Sequence, residues 1–410
     1  MPPAAPPAER CGIDSVEIAR VERLIEANDE ASLARLWSTR EFADAGEGPG
    51  RAASLAARYA AKEACLKLFP RETALGILAE GDFSVARDDY GAPLVVPGPG
   101  AQVVMGRYRI ARIALSMTHD ATSASAVAVA ERATTAVPRI GRWVYRFLPI
   151  RRRIVLDNLR RVYGERVEEA EIVRLAQAHY AHLARLLGEF LRFRWLSARS
   201  KAALVRVENL ERLREVHARG KGVLILTGHF GNWEVATIAG LYRFPEARGR
   251  FHFVRRAIKP AWLEALVERR FRAAGFGVLG KRGSLEALIE RLEAGDLVVF
   301  PFDQHAHGRD GVRVEFFGHP AGTFRSLAIL AAATGAPVVP AASWREPDGS
   351  HVLRFEEPLA PIRDDDPKAE IARNTRAYNA ALECLVVRHP EQWWWVHRRW
   401  KPAGPTRSRA

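Results

Sequence analysis

The pattern of hydrophobic and polar positions divides the chain near residue 133. Before that point, an alanine-rich stretch over 55–68 favours a helix. Residues 113–116 and 125–130 carry the small and β-branched side chains of short strands. These elements predict a small α+β domain over residues 1–132.

Beyond residue 133, apolar residues first recur at intervals of three and four, which is a helical period. The predicted helices cover 154–163, 170–195 and 204–218. From residue 222, short apolar strands alternate with helical segments. The predicted strands cover 223–226, 296–302 and 338–342, and the predicted helices cover 285–292 and 326–334. This alternation predicts a mainly parallel α/β sheet with helices packed on it.

These patterns predict a chain of two domains with distinct folds. The α/β domain covers 151–402 and begins with a helical region. Residues 133–150 form a linker or interfacial segment between the domains, and residues 403–410 a disordered tail. At 410 residues the chain is long enough for each domain to bury its own core.

Composition narrows the class of protein. Hydrophobic residues make up 48% and charged residues 27% of the chain, which is ordinary for a soluble globular protein. Three scattered cysteines are too few for a disulfide framework or a zinc site. No uncharged apolar run approaches the roughly 18 residues of a spanning helix, so a membrane span is not expected.

The positive charge is concentrated in the second domain. Residues 1–132 hold 15 Lys and Arg against 18 Asp and Glu, whereas 133–410 hold 47 against 30, a net charge of +17. Nucleic acid, an anionic membrane surface and an acidic carrier protein are the candidate partners. Basic residues are interspersed with aromatic residues at 142–147 and 190–195, and no nucleic-acid-binding motif accompanies them. This pattern favours interfacial binding over nucleic-acid binding. The basic, aromatic segment 139–154 suits either the lipid headgroup layer or a plain amphipathic helix covering the sheet.

The first candidate site is split between two motifs, GIDSVE at 12–17 and AAKEA at 60–64. Asp14 and Glu63, brought together beside Lys62, would suit Mg²⁺ on a diphosphate, since magnesium keeps several waters and takes few protein carboxylates. A pair of solvated carboxylates explains the spacing as well, and it is the commoner situation.

Residues 11–131 resemble holo-acyl-carrier-protein synthases, the small single-repeat 4′-phosphopantetheinyl transferases. The matching blocks are GIDSVEI at 12–18, LAARYAAKEA at 55–64, GAP at 91–93 and LSMTHD at 115–120. The resemblance implies attack of a carrier-protein serine on the β-phosphate of coenzyme A.

The resemblance also implies roles for individual residues. Asp14 and Glu63 would bind Mg²⁺ on the coenzyme A diphosphate, and Lys62 would contact the phosphates and assist the leaving group. Arg58 and His119 would lie beside the nucleotide. Members of the family form trimers, so a homotrimer through the first domain is a further implication.

The second candidate site is the motif GHFGNWE at 228–234, which follows a buried apolar run. This places His229 just past the carboxyl end of a strand, where ligand sites of open α/β sheets lie. Glu234, five positions on, would hold the imidazole in the tautomer that accepts a proton from a substrate hydroxyl. A histidine satisfied by its structural surroundings is the alternative, and the glutamate makes the two about equally favoured.

Residues 150–402 resemble lysophospholipid acyltransferases of the branch that contains the lipid A late acyltransferases. The matching blocks are RIVLDNL at 153–159, GHFGNWE at 228–234, DQ at 303–304, FFGHPAGT at 316–323, TGAPVVP at 334–340 and PEQWWWVHRRWK at 390–401. The resemblance makes His229 the general base and Glu234 its partner. Arg255 would meet anionic groups of the substrate, and Asp303 with Gln304 would border the site. The tryptophans at 393–395 fit core packing better than an interfacial anchor.

Together the two resemblances imply a bifunctional enzyme of bacterial lipid metabolism. It would convert apo acyl carrier protein to the holo form, then transfer an acyl chain from acyl carrier protein or acyl-coenzyme A to a lipid hydroxyl or amine. We expect it in the cytoplasm, peripheral on anionic lipid of the inner face of the cytoplasmic membrane. One alternative is that only one domain is catalytic and the other is a docking or trimerising scaffold. A nucleic-acid-binding protein is the other and rests only on the pI of about 10.2.

Overall fold

The computed structural model describes residues 10–401, apart from 149, 165, 194, 256–264, 266–267, 270, 273–274 and 281–284. The chain forms two compact units, the first made of residues up to 135 together with 163–172, and the second of 136–162 together with the residues from 173 onward. The first break lies three residues beyond the predicted domain end at 132. The predicted tail at 403–410 lies outside the described residues.

The first unit combines a three-stranded antiparallel sheet with a long helix. The sheet has the strand order β1-β5-β4, and β2 pairs with β3 in a separate two-stranded sheet. The strands are β1 (Arg10–Glu17), β2 (Phe83–Arg87), β3 (Pro93–Pro97), β4 (Ile110–His119) and β5 (Ser123–Arg132). The helices are α1 (Ile18–Ala27), α2 (Glu30–Leu33), α3 (Thr39–Ala45), α4 (Arg51–Leu66), α5 (Arg71–Gly76) and α6 (Pro99–Arg107).

Small side chains let α4 lie very close to the sheet. Ala56, Ala60 and Ala64 are fully buried on this helix. A Cβ at Gly12 of β1 would collide with the carbonyl oxygen of Ala64, so only glycine permits this approach. As a result, Asp14, two residues after Gly12, and Glu63, one residue before Ala64, lie in one region of the unit.

The second unit is built on a seven-stranded sheet with the order β6-β14-β13-β7-β10-β8-β9. All neighbours in it are parallel except β13 and β14, which confirms the predicted mainly parallel α/β domain. Its strands are β6 (Val205–Glu208), β7 (Val223–Thr227), β8 (Phe251–Arg255), β9 (Phe276–Gly280), β10 (Leu297–Pro301), β13 (Val338–Arg345) and β14 (His351–Phe355). A separate hairpin is formed by β11 (Gly311–Phe316) and β12 (His319–Phe324).

Helices precede the sheet and pack against its faces. The leading ones are α7 (Arg139–Phe147), α8 (Arg152–Tyr163), α9 (Glu169–Phe193) and α10 (Ala198–Ala203). The others are α11 (Leu210–His217), α12 (Trp233–Arg243), α13 (Leu285–Glu293), α14 (Ser326–Thr334) and α15 (Pro367–Arg388). None of the helices in the described part of the chain has both the length and the hydropathy needed to cross a bilayer.

Strand β7 lies in the middle of the sheet and is buried on both faces. Val223 and Ile225 belong to one hydrophobic core, while Leu224 and Leu226 belong to the core on the opposite face. This alternation follows from the two-residue period of a strand. The carboxyl end of β7 lies at an edge of the sheet where the neighbouring parallel strand β10 also ends.

Candidate active sites

A histidine and an aspartate meet at the carboxyl edge of the second unit's sheet. The register of the parallel strands β7 and β10 pairs Thr227 with Pro301, the last residue of each strand. Two residues beyond these ends lie His229 and Asp303. His229 Nδ1 donates to Asp303 Oδ1 at 2.8 Å, and the backbone N–H of His229 donates to Asp303 Oδ2 at 2.7 Å. We call these two residues the His229–Asp303 pair.

The charges in this pair fix the protonation of the imidazole. Burial opposes ionisation of Asp303, but the attraction of His229 and several hydrogen bonds outweigh burial and lower the pKa of the carboxyl to about 2. Burial also disfavours the imidazolium, yet the charge and hydrogen bond of Asp303 raise the pKa of His229 above its ordinary value. An ionised carboxylate at Nδ1 requires the proton there, so Nε2 of neutral His229 is an acceptor. His229 therefore has the geometry of a general base.

The carboxy-terminal tryptophans hold this pair in place. The indole N–H of Trp393 donates to Asp303 Oδ2 at 3.0 Å, and the backbone N–H of Trp394 donates to the His229 carbonyl at 3.1 Å. Trp393 and Trp395 are buried, and Trp394 is 37% exposed. Trp393 and Trp395 are therefore packed in the core, as predicted, and Trp394 is not. Trp393 also makes a polar contact with the site.

Among the described side chains, the carboxylate beside His229 is not the one predicted from the sequence. The carboxylate on Nδ1 is Asp303, which the sequence had placed only at the border of the site. Glu234 lies in the first turn of α12, and its side chain is outside the described residues, as is that of Arg255 at the end of β8. Roles for these two side chains stay predictions. Gln304 lines the cavity at the site, in agreement with its predicted position.

A large apolar cavity opens beside His229. Its volume is about 1290 Å³, and we call it the large cavity. Aromatic and aliphatic side chains from the sheet and its helices make up much of the wall, among them Leu213, Phe244, Phe253 and Phe276. A mostly apolar space next to a base suits a substrate with a long hydrocarbon part.

The predicted metal ligands of the first unit lie near each other. Burial raises the pKa of Glu63, and the negative charges of Glu80 and Asp14 raise it further. Lys67 Nζ donates to Asp14 Oδ1 at 2.7 Å and to the Ile13 carbonyl at 2.8 Å. No cluster of three or more His, Cys, Asp or Glu suited to a metal occurs among the described residues. Mutual repulsion of these carboxylates is nonetheless relieved by a cation, so Asp14 and Glu63 fit a magnesium ion that keeps most of its waters.

The structure also corrects the role predicted for Lys62. This side chain is fully buried, and its ammonium is 2.9 Å from the carboxylate of buried Glu41. Glu41 accepts further hydrogen bonds from the backbone N–H groups of Ser38 and Val85. Burial lowers the pKa of Lys62, although Glu41 opposes this shift. Lys62 thus supports the fold of the unit, and the half-exposed Lys67 is the lysine at the carboxylate site.

Arg58 and His119 line one small cavity of about 370 Å³ in the first unit, which we call the small cavity. Arg58 is bonded to the Ser54 hydroxyl at 2.6 Å, but its buried Nε has no hydrogen-bond partner. Burial lowers the pKa of Arg58, and the positive charge of Arg87 in the same wall lowers it further. An anion between these two arginines would remove their repulsion. The structure thus brings Arg58 and His119 together, as predicted for residues beside a nucleotide.

Three functional groups escaped the sequence reasoning in part or in full. Asp303 had a signal, because it follows an apolar strand as His229 does, and neighbouring parallel strands end at one edge. Lys67 follows Glu63 by four residues, the spacing of one helical turn. The contact between Trp393 and Asp303 spans 90 residues and has no signal in local sequence.

Comparisons with known proteins also divide the chain into two parts. Residues 124–402 match the family model for bacterial lipid A biosynthesis acyltransferases, and residues 10–118 match that of the 4′-phosphopantetheinyl transferase superfamily. The lipid A biosynthesis lauroyltransferase of Escherichia coli is 26% identical over 268 residues, 64% of this chain and 83% of that protein. The phosphatidylinositol mannoside acyltransferase of Mycolicibacterium smegmatis is 26% identical over 250 residues, 59% of this chain and 77% of that protein. The holo-[acyl-carrier-protein] synthase of Clostridium acetobutylicum is 35% identical over 124 residues, 29% of this chain and 94% of that protein.

Proposed function

Because the chain belongs to the bacterial lipid A biosynthesis acyltransferase family and, through its first domain, to the 4′-phosphopantetheinyl transferase superfamily, we propose that it both primes an acyl carrier protein and acylates a membrane lipid. The first domain would transfer 4′-phosphopantetheine from coenzyme A to a carrier serine. The second would move an acyl chain from the carrier thioester, or from acyl-coenzyme A, to a lipid hydroxyl or amine.

One observation carries the acyl transfer proposal: His229, hydrogen-bonded to Asp303, lies at the wall of the large cavity. His229 Nε2 takes the proton of the acceptor hydroxyl, and the freed oxygen bonds to the thioester carbon. The tetrahedral intermediate then collapses, the carbon–sulfur bond breaks, and the thiolate receives the proton from His229. Asp303 stabilises the imidazolium between these two steps.

The large cavity would hold the hydrocarbon chain of the donor. Each methylene of the chain that moves from water into the apolar cavity contributes about 0.8 kcal/mol to the free energy of binding. Narrowing the cavity with Ala236→Phe or Ala342→Phe should shift the preferred donor toward shorter chains. Competition between acyl-coenzyme A donors of different lengths measures this preference, and an unchanged preference in both variants would place the chain elsewhere.

Helix α7 supports a location on an anionic membrane surface. Ile140, Trp143 and Phe147 are 44%, 54% and 62% exposed and follow one another at helical spacings of three and four. Arg142 and Arg146 lie between them in the sequence. An exposed apolar stripe flanked by arginines suits insertion among acidic headgroups.

Binding to vesicles tests this location. Trp143→Glu should weaken co-sedimentation with phosphatidylglycerol vesicles, and Arg206→Glu, which changes a basic residue on β6, provides the charge control. Duplex DNA should not compete with the vesicles. Binding to DNA that falls steeply with salt, without binding to vesicles, would favour the nucleic-acid alternative instead.

The phosphopantetheinyl transfer proposal rests on the grouping of Asp14 with Glu63 and of Arg58 with His119. Asp14 and Glu63 would hold Mg²⁺, which supplies neutralisation of the diphosphate charge when bound. Lys67 would lie beside the phosphates, and the small cavity with Arg58 would receive the nucleotide. Phosphoryl transfer depends mainly on such positioning and charge neutralisation. A homotrimer is also proposed, since Ile13 of β1 is 63% exposed and available to a second copy.

Separate variants test the two activities in the full-length protein. Incubation with apo acyl carrier protein, coenzyme A and Mg²⁺ should increase the mass of the carrier by one phosphopantetheine. Transfer of labelled dodecanoate from dodecanoyl carrier protein into vesicles of bacterial lipid extract reports the second activity. Asp14→Ala should abolish only the first and His229→Ala only the second. If one activity is absent from the wild type, the domain concerned is a scaffold.

A further inference from the structure

We propose that His397 is a second catalytic histidine, which donates its Nδ1–H to the thioester carbonyl oxygen as that oxygen becomes negatively charged. The proposal rests on acyl transfer at His229 as set out above. It adds a group that stabilises the intermediate, whereas His229 acts as the base.

Backbone hydrogen bonds bring His397 next to the His229–Asp303 pair. The N–H of Trp394 donates to the His229 carbonyl, and the N–H of His397 donates to the Trp394 carbonyl at 3.3 Å. His397 therefore lies one turn of chain after Trp394, the residue that contacts the His229 backbone, and both histidines line the large cavity. The charges of Asp303 and His229 also act on the ring of His397, as expected for close neighbours.

Hydrogen bonds around the ring determine which nitrogen of His397 carries the proton. The backbone N–H of His305 donates to His397 Nε2 at 3.3 Å, so Nε2 is an acceptor. A neutral imidazole with an accepting Nε2 carries its proton on Nδ1. Nδ1 makes no hydrogen bond to any described residue, which leaves this N–H available to a ligand in the cavity.

The residue that fixes His397 is itself held in place. His305 Nδ1 lies 3.1 Å from the Arg399 carbonyl, which can only accept, so His305 donates there. His305 Nε2 then accepts from His307 Nδ1 at 3.0 Å. Burial, followed by the charge of His307, lowers the pKa of His305 to about 4, so this ring is neutral under ordinary conditions. The two hydrogen bonds of the His305 ring thereby hold in place the His305 backbone N–H that donates to His397.

Neutrality makes His397 a donor throughout the reaction. Burial lowers its pKa, and nearby positive groups, including a protonated His229, lower it further against the opposing effect of Asp303. His397 therefore does not compete with His229 for the acceptor's proton. When the acceptor oxygen attacks, the carbonyl π electrons move onto oxygen, and the Nδ1–H of His397 stabilises that charge without being transferred. Collapse of the intermediate restores the carbonyl and expels the thiolate.

Kinetics of His397 variants in the full-length protein test this role. The donor is dodecanoyl carrier protein, and the acceptor is bacterial lipid extract in vesicles. His397→Leu should lower kcat by about 10²–10³, the usual cost of one oxyanion donor, with KM changed by less than about threefold. His397→Gln, which keeps an N–H donor, should recover about tenfold of that loss. The acid limb of the rate profile should stay in place in both variants, because His229 still acts as the base. His217→Leu, a histidine of α11 outside the cavity, is the matched control.

Two results would overturn the proposal. One is a kcat for His397→Leu within about threefold of wild type, or a glutamine variant no better than leucine. The other is an ¹⁵N spectrum of labelled protein in which His397 carries its proton on Nε2 or is cationic at neutral pH. The spectrum does not depend on turnover. If the wild-type protein transferred no acyl chain, the proposed function would fail, while the tautomer of His397 would still be decided separately.

Discussion

Replacing Asp303 with asparagine should inactivate acyl transfer by imposing the wrong tautomer on His229. Asp303 Oδ2 accepts two N–H groups, from the His229 backbone at 2.7 Å and from Trp393 Nε1 at 3.0 Å. The single oxygen of asparagine would occupy that position, because its amino group cannot face two donors. The amino group would then lie 2.8 Å from His229 Nδ1 and donate to it. The proton of the imidazole would move to Nε2, which could no longer accept one from the substrate.

The expected loss in kcat is about 10⁴, as in hydrolases where the same change traps the wrong tautomer. That factor corresponds to about 5 kcal/mol of transition-state stabilisation. The pH dependence provides a second readout. Since the charge of Asp303 raises the pKa of His229, and the base acts only when neutral, wild-type activity should rise with pH through that raised pKa. Without the charge, the acid limb of the residual activity should move to lower pH.

Transfer of labelled dodecanoate into lipid, measured from pH 5 to 9, checks both expectations. Asp296→Asn is the matched control. Asp296 Oδ2 forms a similar buried pair with His252 Nε2, at a distance of 2.8 Å, and neither residue lines the large cavity. The control should lose stability and keep its acyl transfer rate. A loss below tenfold in Asp303→Asn with an unmoved acid limb, together with a moved limb in Glu234→Gln, would refute the reasoning and restore Glu234 as the partner.

Three further predictions concern Trp393 in the acyl transfer site and the charged residues of the first unit. Trp393→Phe removes the indole N–H that donates to Asp303. We expect kcat/KM for acyl transfer to fall about tenfold, the usual effect of losing a hydrogen bond to a charged group. Steady-state kinetics measure this ratio, and an unchanged value would contradict the positioning role of Trp393. Lys62→Met should lower the free energy of unfolding, measured by urea titration, by about 3–5 kcal/mol because it leaves a buried carboxylate unpaired. Lys67→Met should keep the stability and lose phosphopantetheine transfer. The opposite pattern would show that Lys62 is the lysine that contacts the phosphates. Because its pKa is raised, Glu63 takes up a proton earlier than an ordinary glutamate as the pH falls. The Mg²⁺ concentration for half-maximal phosphopantetheine transfer should therefore be higher at pH 5.5 than at pH 7.5. Glu63→Gln should remove this pH dependence.

The sequence by itself determined the two-domain organisation, the parallel α/β sheet and the position of His229 past a strand end. These features depend on local periodicity and on motifs contained within a few residues, which hydrophobic burial translates directly into strands and helices. The grouping of Asp14 with Glu63 was also predicted, through the resemblance of their two motifs to one family.

Only the tertiary structure decided which groups complete each site. Asp303 meets His229 because β7 and β10 are neighbours in register, a contact across 74 residues that the five-residue spacing to Glu234 could not reveal. Lys62 and Lys67 are only five residues apart at the end of α4, yet burial of one against Glu41 and exposure of the other separate their roles. A side chain's partner and its solvation depend on what distant segments bring to it, and that is set by packing rather than by the order of residues.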